Sequence, residues 1–184
     1  MMVSTLQFGQ IVVEEDHIIT FPQGLPGFEE YRQYVILQSE ADEPFSFMQS
    51  VDNHNLSFVI TNPFLFYPSY EFQLPESVEE ELGIKDAKDL MIWSIITVSS
   101  DIENITINLL APVIINMATK IGKQVILHNT PYKTKHRLVD SAANTVPSQM
   151  DGERHASTYP QEGRIDYDRG SGGVGCTGSR RGND

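Results

Sequence analysis

Ile105-Thr-Ile-Asn-Leu-Leu-Ala-Pro-Val-Ile-Ile-Asn116, followed by Lys120-Ile-Gly-Lys-Gln-Val-Ile-Leu127, shows no helical period. Its β-branched and apolar residues come in short runs bounded by Asn, Pro and a polar link. That pattern predicts strands over Ile105–Leu110, Val113–Asn116 and Lys120–Leu127. Pro112 has no N–H to give to a ladder, so it marks an edge, a bend or a bulge. Gly122-Lys123 locally marks a turn or a bulge. Asn108 and Asn116 stand at the two ends of the interrupted run, where their amides can satisfy the broken ladder or contact a partner.

The same texture continues toward the N-terminus. Leu90–Ser99 is strongly β-branched, and Asp101-Ile-Glu-Asn104 reads as a turn. Leu56–Thr61, Phe45–Ser50 and Tyr34–Gln38 are further strands, separated by the turns Asp52-Asn-His-Asn55 and Glu40-Ala-Asp-Glu-Pro44. Residues 6–21 hold two β-rich runs flanking Glu14-Glu15-Asp16, which reads as a hairpin. Pro22-Gln-Gly-Leu-Pro-Gly27 is a shaped loop, with a short helical turn expected at 28–32. The best helix lies between Pro75 and Gly83: proline at its start, acids in its first turns, glycine after its last leucine. Asp86–Leu90 adds one more turn. Many short strands with little helix predict a mostly β domain, a small antiparallel β-barrel-like fold with one or two short helices, over residues 1–138.

Charge is unevenly distributed. The 184 residues carry a formal net charge of −12. Residues 1–84 hold fourteen acids and one base, Arg32, whereas residues 85–138 hold four acids and seven bases. A net of −10 over residues 1–138 argues against a binder of phosphate backbones and for a positively charged protein partner. The single cysteine, Cys176, lies far outside the strand-rich part, which excludes a disulfide staple and thiolate zinc sites there. There is no basic-then-apolar leader and no long apolar span, so the expected location is the cytoplasm, away from membranes.

Catalytic and metal motifs are weak. His17, His54, His128, His136 and His155 form neither His-x-His nor His-Glu-x-x-His. Asp52-Asn-His54 is the nearest thing to a site and reads better as a polar turn. Gly24-Leu-Pro-Gly27 precedes no long helix, and Glu79-Glu80-Glu81 reads as a solvated helix face. No cofactor or metal is expected. More informative is Asn62-Pro-Phe-Leu-Phe-Tyr-Pro-Ser-Tyr-Glu-Phe72, with five aromatic residues broken by two prolines. Phe64 and Phe66 are expected in the core. Tyr67 and Tyr70 suit either the core or a docking patch, since aromatic residues anchor interfaces.

Four ordered segments carry a family resemblance. Ile19-Thr-Phe-Pro-Gln-Gly-Leu-Pro-Gly-Phe-Glu29, Asn62-Pro-Phe with Tyr70-Glu-Phe72, Ile105 to Asn116, and Gly122-Lys-Gln-Val-Ile-Leu127 followed by Tyr132-Lys-Thr-Lys-His136 together resemble the flagellar assembly factor FliW family, over about residues 5–138. The resemblance implies a non-enzymatic barrel, itself monomeric when free. It implies binding to newly made flagellin and, alternatively, to the dimeric translational repressor CsrA, which represses flagellin mRNA. No catalytic residue is carried over. Candidate partner contacts are Glu40, Asp42, Glu43, Tyr67, Tyr70, Glu71, Asn108 and Asn116, and the net charge of −13 over residues 1–84 is expected to present an acidic face beside the repressor's RNA groove. The rival reading is a small-molecule-binding barrel or a barrel enzyme with its site in the barrel mouth.

Periodicity stops after Leu138. Residues 139–184 are rich in Gly, Ser, Asp and Arg and are expected to form a disordered tail. One permitted codon set for His155–Gly170, shifted by one base, reads Met-Leu-Val-Leu-Thr-Arg-Lys-Lys-Gly-Glu-Ser-Ile-Thr-Ile-Gly-Asp. This resembles the start of a CsrA-type repressor. The frame is therefore expected to overrun the start of a neighbouring repressor gene, which makes Cys176 incidental.

Overall fold

The structure, a computed structural model, describes residues 1–38 and 42–138, the side chain of Ile102 excepted. The expected tail at 139–184 and the candidate contact Glu40 lie outside the described residues. Eleven strands are formed among the described residues: β1 (Met2–Thr5), β2 (Gly9–Val12), β3 (Ile19–Thr20), β4 (Gln33–Gln38), β5 (Phe45–Ser50), β6 (Ser57–Thr61), β7 (Leu90–Thr97), β8 (Thr106–Ile107), β9 (Val113–Asn116), β10 (Ile121–Gln124) and β11 (His136–Arg137). The order β7-β6-β5-β4-β3-β10-β9 returns to β7, so seven strands close a barrel. Strand β7 is long enough to serve three partners: Leu90–Trp93 pairs with β9, Ser94 and Ile95 pair with β6, and Ile96–Thr97 pairs with β8, which in turn pairs with β11.

One pair departs from the antiparallel pattern. β3 and β10 run parallel and share one register pair, Ile121 with Thr20. Their seam is held by the Thr20 N–H donating to the Lys120 carbonyl at 2.8 Å.

Strand alternation sorts the side chains into layers. Tyr34 and Ile36 on β4, Met48 on β5, Ile60 on β6, Trp93 on β7, and Val113 and Ile115 on β9 form one buried cluster with Phe21 and Leu25. This cluster fills the barrel interior, as expected of a barrel this small. Outside, Val35, Leu37 and Phe47 are covered by the β1–β2 hairpin through Val3, Phe8 and Ile11. On another flank Ile92, Ile96, Ile107 and Ile114 are covered by Tyr70 and by the helix α1 (Glu76–Leu82) through Val78 and Leu82. The helix begins and ends where the sequence placed it. Pro75 precedes it in extended conformation, Glu76 and Glu79 sit in its first turn, and Gly83 takes the left-handed φ of 65° that a helix C-terminus favours.

Three local expectations are corrected. The hairpin turn is not at Glu14-Glu15-Asp16 but at residues 6–8, where the Thr5 hydroxyl accepts from Phe8 N–H at 2.9 Å and donates to the Gly9 carbonyl at 3.0 Å. Residues Glu15–His17 form a 3₁₀ turn that redirects the chain, so β3 pairs with β4 rather than with β2. The helical turn expected at 28–32 is not formed: Phe28 makes an isolated bridge with Leu25, residues 29–30 make a turn, and residues 31–32 belong to no helix. Gly122-Lys123 is regular ladder rather than turn or bulge. The glycine is there because a Cβ at 122 would lie 2.6 Å from the Phe21 ring.

The predicted strands Ile105–Leu110 and Lys120–Leu127 also contract, to Thr106–Ile107 and Ile121–Gln124. The reason is the chain around Pro112. Asn108 N–H still reaches the Ile95 carbonyl at 2.9 Å, but Leu109 and Leu110 N–H both turn to the Lys133 carbonyl.

Candidate partner-binding surface

The segment 62–72 is built from turns, which is why so many rings coexist with two prolines. Asn62 accepts the Phe64 N–H on its side-chain oxygen at 3.0 Å and starts a 3₁₀ turn, Pro63–Leu65, with proline at its first position. Tyr67 N–H then bonds back to the Pro63 carbonyl, and Tyr70 N–H to the Tyr67 carbonyl, each at 2.9 Å.

These turns direct rings alternately inward and along the surface. Tyr70 is 3% exposed and sits at the centre of the aromatic group. Its ring lies 4.7 Å from Tyr132, 5.2 Å from Phe72 and 5.8 Å from Phe64. Its hydroxyl donates to the Leu109 carbonyl at 2.8 Å, one of the groups released by the break at Pro112. Burial raises its phenol far above the ordinary value, with Tyr132 adding to the effect. In the free domain Tyr70 is thus a core residue with a satisfied hydroxyl.

Tyr67 is half-buried and faces the C-terminal strap. Its hydroxyl donates to the Arg137 carbonyl at 2.6 Å, and its ring meets the His136 ring edge-on at 5.7 Å. Glu71 presents its carboxylate to solvent while its N–H donates to the Tyr132 hydroxyl at 3.0 Å. His136 accepts the Lys133 N–H on Nε2 at 2.8 Å, and burial, then the Lys133 charge, hold its pKa below the ordinary 6.5. Tyr67, Glu71, Tyr132 and His136 thereby share one half-buried aromatic surface. Tyr132 and His136 had not been singled out as contacts. Their signal was the Tyr132-Lys-Thr-Lys-His136 motif, which is too short to show which face it joins.

The described end of the β4–β5 connection, residues 42–44, adjoins the start of the 62–72 segment. Asp42 is partly buried and Glu43 exposed. The neighbouring Pro44 carbonyl accepts the Thr61 hydroxyl at 2.9 Å, and the Phe45 and Phe66 rings stack at 6.0 Å.

The two asparagines act inside the fold. Asn108 is half-buried, and its side-chain oxygen accepts the Ala111 N–H at 2.9 Å, closing the bend before Pro112. Asn116 is 1% exposed and caps the C-terminus of α1. Its Nδ2 donates to the Leu82 and Gly83 carbonyls at 3.0 and 3.1 Å, and its Oδ1 accepts from Ala118 N–H at 2.9 Å. Asn116 and Tyr70 are therefore not available as direct surface contacts in the free protein, because both are buried with their polar atoms engaged.

Elsewhere the acids stay on the outside. Glu76, Glu79 and Glu80 line the exposed side of α1, whose Glu81 pairs with Lys123. Asp86 pairs with Lys88 at 3.0 Å on a fully exposed turn, where the Lys88 N–H and then its side chain lower the Asp86 pKa. The Asp52-Asn-His54 segment is a turn: the buried Gln49 amide bonds the Asn53 carbonyl, and Asn55 N–H bonds the Asn53 side chain, both at 3.0 Å. Among the described residues no helix is long and apolar enough to cross a membrane.

Comparison with known proteins covers this same domain. The family profile described as FliW protein matches residues 2–138. The chain is 43% identical over 138 residues to the flagellar assembly factor FliW of Bacillus subtilis (strain 168), covering 75% of this chain and 96% of that protein. It is 43% identical over 141 residues to the one from Alkaliphilus metalliredigens (strain QYMF), covering 76% and 87%. Among solved structures, a crystal structure of the flagellar assembly factor FliW superimposes with a TM-score of 0.71 at 44% identity, covering 75% of this chain and 96% of that one.

Proposed function

Because the chain belongs to the FliW family of flagellar assembly factors, we propose that it is a cytoplasmic, non-enzymatic binding protein. It takes up newly made flagellin and, when free of it, a dimeric CsrA-type translational repressor, so flagellin synthesis follows flagellin export. The observation that carries this reading is the family match across the whole barrel domain. The charge map supports it physically. A repressor that holds RNA must be basic where it does so, and an acidic partner seated beside that groove weakens RNA binding by repulsion without copying its shape. Asp42 and Glu43 stand just before Phe45, whose ring stacks on Phe66, so acids and aromatic rings meet at the start of the 62–72 segment. The barrel interior, filled by Tyr34, Met48, Ile60 and Trp93, favours a surface-binding role over a metabolite held in a barrel mouth.

Calorimetry of the full chain against flagellin, against the repressor, and against both together tests the proposal. Binding to each alone, with flagellin preventing repressor antagonism, is the expected result; binding to neither sinks it. The triple reversal Glu40→Lys, Asp42→Lys and Glu43→Lys should keep the fold and slow association with the repressor about tenfold or more at low salt. Full antagonism by that variant at low salt removes these residues from the interface.

A further inference from the structure

Among the described residues the N-terminal hairpin leaves a strand edge open. Met1 donates from its amino group to the Val13 carbonyl at 2.6 Å, and Val13 N–H donates to the Met1 carbonyl at 2.8 Å. Hydrogen-bonded pairs alternate with non-bonded pairs in an antiparallel ladder. The register therefore makes Val3–Ile11 and Thr5–Gly9 the bonded pairs, and Met2–Val12 and Ser4–Gln10 the non-bonded ones. The backbone groups of Gln10 and Val12 point away from β1, and among the described residues β2 pairs with β1 alone. β2 is also the outer strand by exposure: Gly9, Gln10 and Val12 are exposed and Ile11 is half-buried.

The side chains beside this edge are apolar without being core. Met2 is 65% exposed, Leu6 72% and Val12 71%, while Val3, Phe8 and Ile11 take the inner face against Leu37 and Phe47. Immediately after β2 stand the exposed acids Glu14, Glu15 and Asp16, with His17 4.0 Å from Asp16. No Lys or Arg precedes Arg32 in the chain.

We propose that the outer edge of β2 is a strand-addition site for an extended partner segment in which apolar residues alternate with Lys or Arg. Its backbone would complete the ladder at Gln10 and Val12. Its apolar side chains would cover Val12 and its neighbours, and its cations would meet Glu14, Glu15 and Asp16. A second copy of this chain is the poorer occupant, since each copy brings the same acidic N-terminal half to the contact. The proposal goes beyond the function argued above and does not depend on which proteins the chain binds.

The test is amide hydrogen exchange on the full chain with a capped Lys-Val-Lys-Val-Lys-Val peptide, and with Glu-Val-Glu-Val-Glu-Val as control. The expected result is slowing of the Gln10 and Val12 amides by about tenfold or more with the basic peptide alone. Val12→Pro should abolish that binding. The Val12 N–H is not used inside the hairpin, so proline at this edge leaves the internal ladder intact. The protection pattern of the unaltered chain is decisive even if that variant frays. No protection at Gln10 and Val12, equal protection by the acidic peptide, or unchanged affinity of a folded Val12→Pro chain overturns the proposal. So does protection that rises with protein concentration in the absence of peptide, which assigns the edge to a second copy.

Discussion

Gly122 shows how one missing side chain can set the inside of a barrel. A Cβ there would sit 2.6–3.0 Å from three ring carbons of Phe21, which is fully buried and faces Tyr34 edge-on at 5.3 Å. The ring has nowhere to go, so Gly122→Ala should destabilise the domain by about 1–3 kcal/mol in urea unfolding, an overpacking cost. Wild-type stability in that variant refutes the contact. Tyr34 makes the opposite case. Its hydroxyl is buried without a hydrogen-bond partner among the described residues. Tyr34→Phe should therefore be neutral or stabilising by about 1 kcal/mol at neutral pH. Burial first, then the Asp52 carboxylate and Tyr31, push the Tyr34 phenol from 10 up to about 12. The unfolded phenol ionises first, so this group's contribution is intact below pH 10 and is lost as pH rises toward about 12. An alkaline unfolding titration should lose less stability across that window in Tyr34→Phe than in the unaltered protein. Neither residue announces its role in the sequence. A glycine between polar-flanked strands reads as a turn, because the ring it accommodates lies a hundred residues away. Asn116 was legible as a ladder-satisfying asparagine, but that it caps a helix was not, since α1 lies thirty-three residues upstream.

At the scale of elements, local chemistry was readable wherever the deciding partner is near in sequence. Pro75 and Gly83 fixed α1 almost to the residue, and Val113–Asn116 and Phe45–Ser50 are strands as expected. The misreadings fall where long-range pairing decides, as at residues 14–16, where polar residues make a redirecting 3₁₀ turn instead of a hairpin. The C-terminal strap, residues 128–138, belongs to this class. Its anchors are the Lys133 carbonyl, the Lys133–His136 bond and the short β11–β8 pairing, none of which its polar sequence suggests. The His136 bond requires a neutral Nε2 acceptor. With the folded pKa held below 6.5, protonation favours the unfolded or detached strap, so the stabilisation is present above pH 6.5 and lost as pH falls through the lowered value. The protection of the Lys133 amide, taken relative to its intrinsic exchange rate at each pH, should fall on acidification through this range. His136→Phe should remove the acceptor and leave that amide poorly protected, with no such pH dependence.

Over the whole molecule, composition spoke more clearly than any motif. The acidic bias of residues 1–84 is evident from counting, and among the described residues most of those acids are exposed, on α1, on the turns and beside the N-terminal hairpin. Where the aromatic patch would face could not be read, because turns at 62–70 rather than strand alternation orient its rings. For residues 139–184 we propose the overlapping-frame origin. Sequencing the locus should find a CsrA-type frame opening within the codons for His155–Gly170, and its absence ends the idea. Removing residues 139–184 should then leave partner binding unchanged by calorimetry.

The β3–β10 seam ties closure of the barrel to the timing of synthesis. Thr20 can find its place only after Ile121 has been made, so the barrel stays an open sheet through most of translation. A chain still on the ribosome that stops short of β10 presents hydrophobic strands without a closed surface.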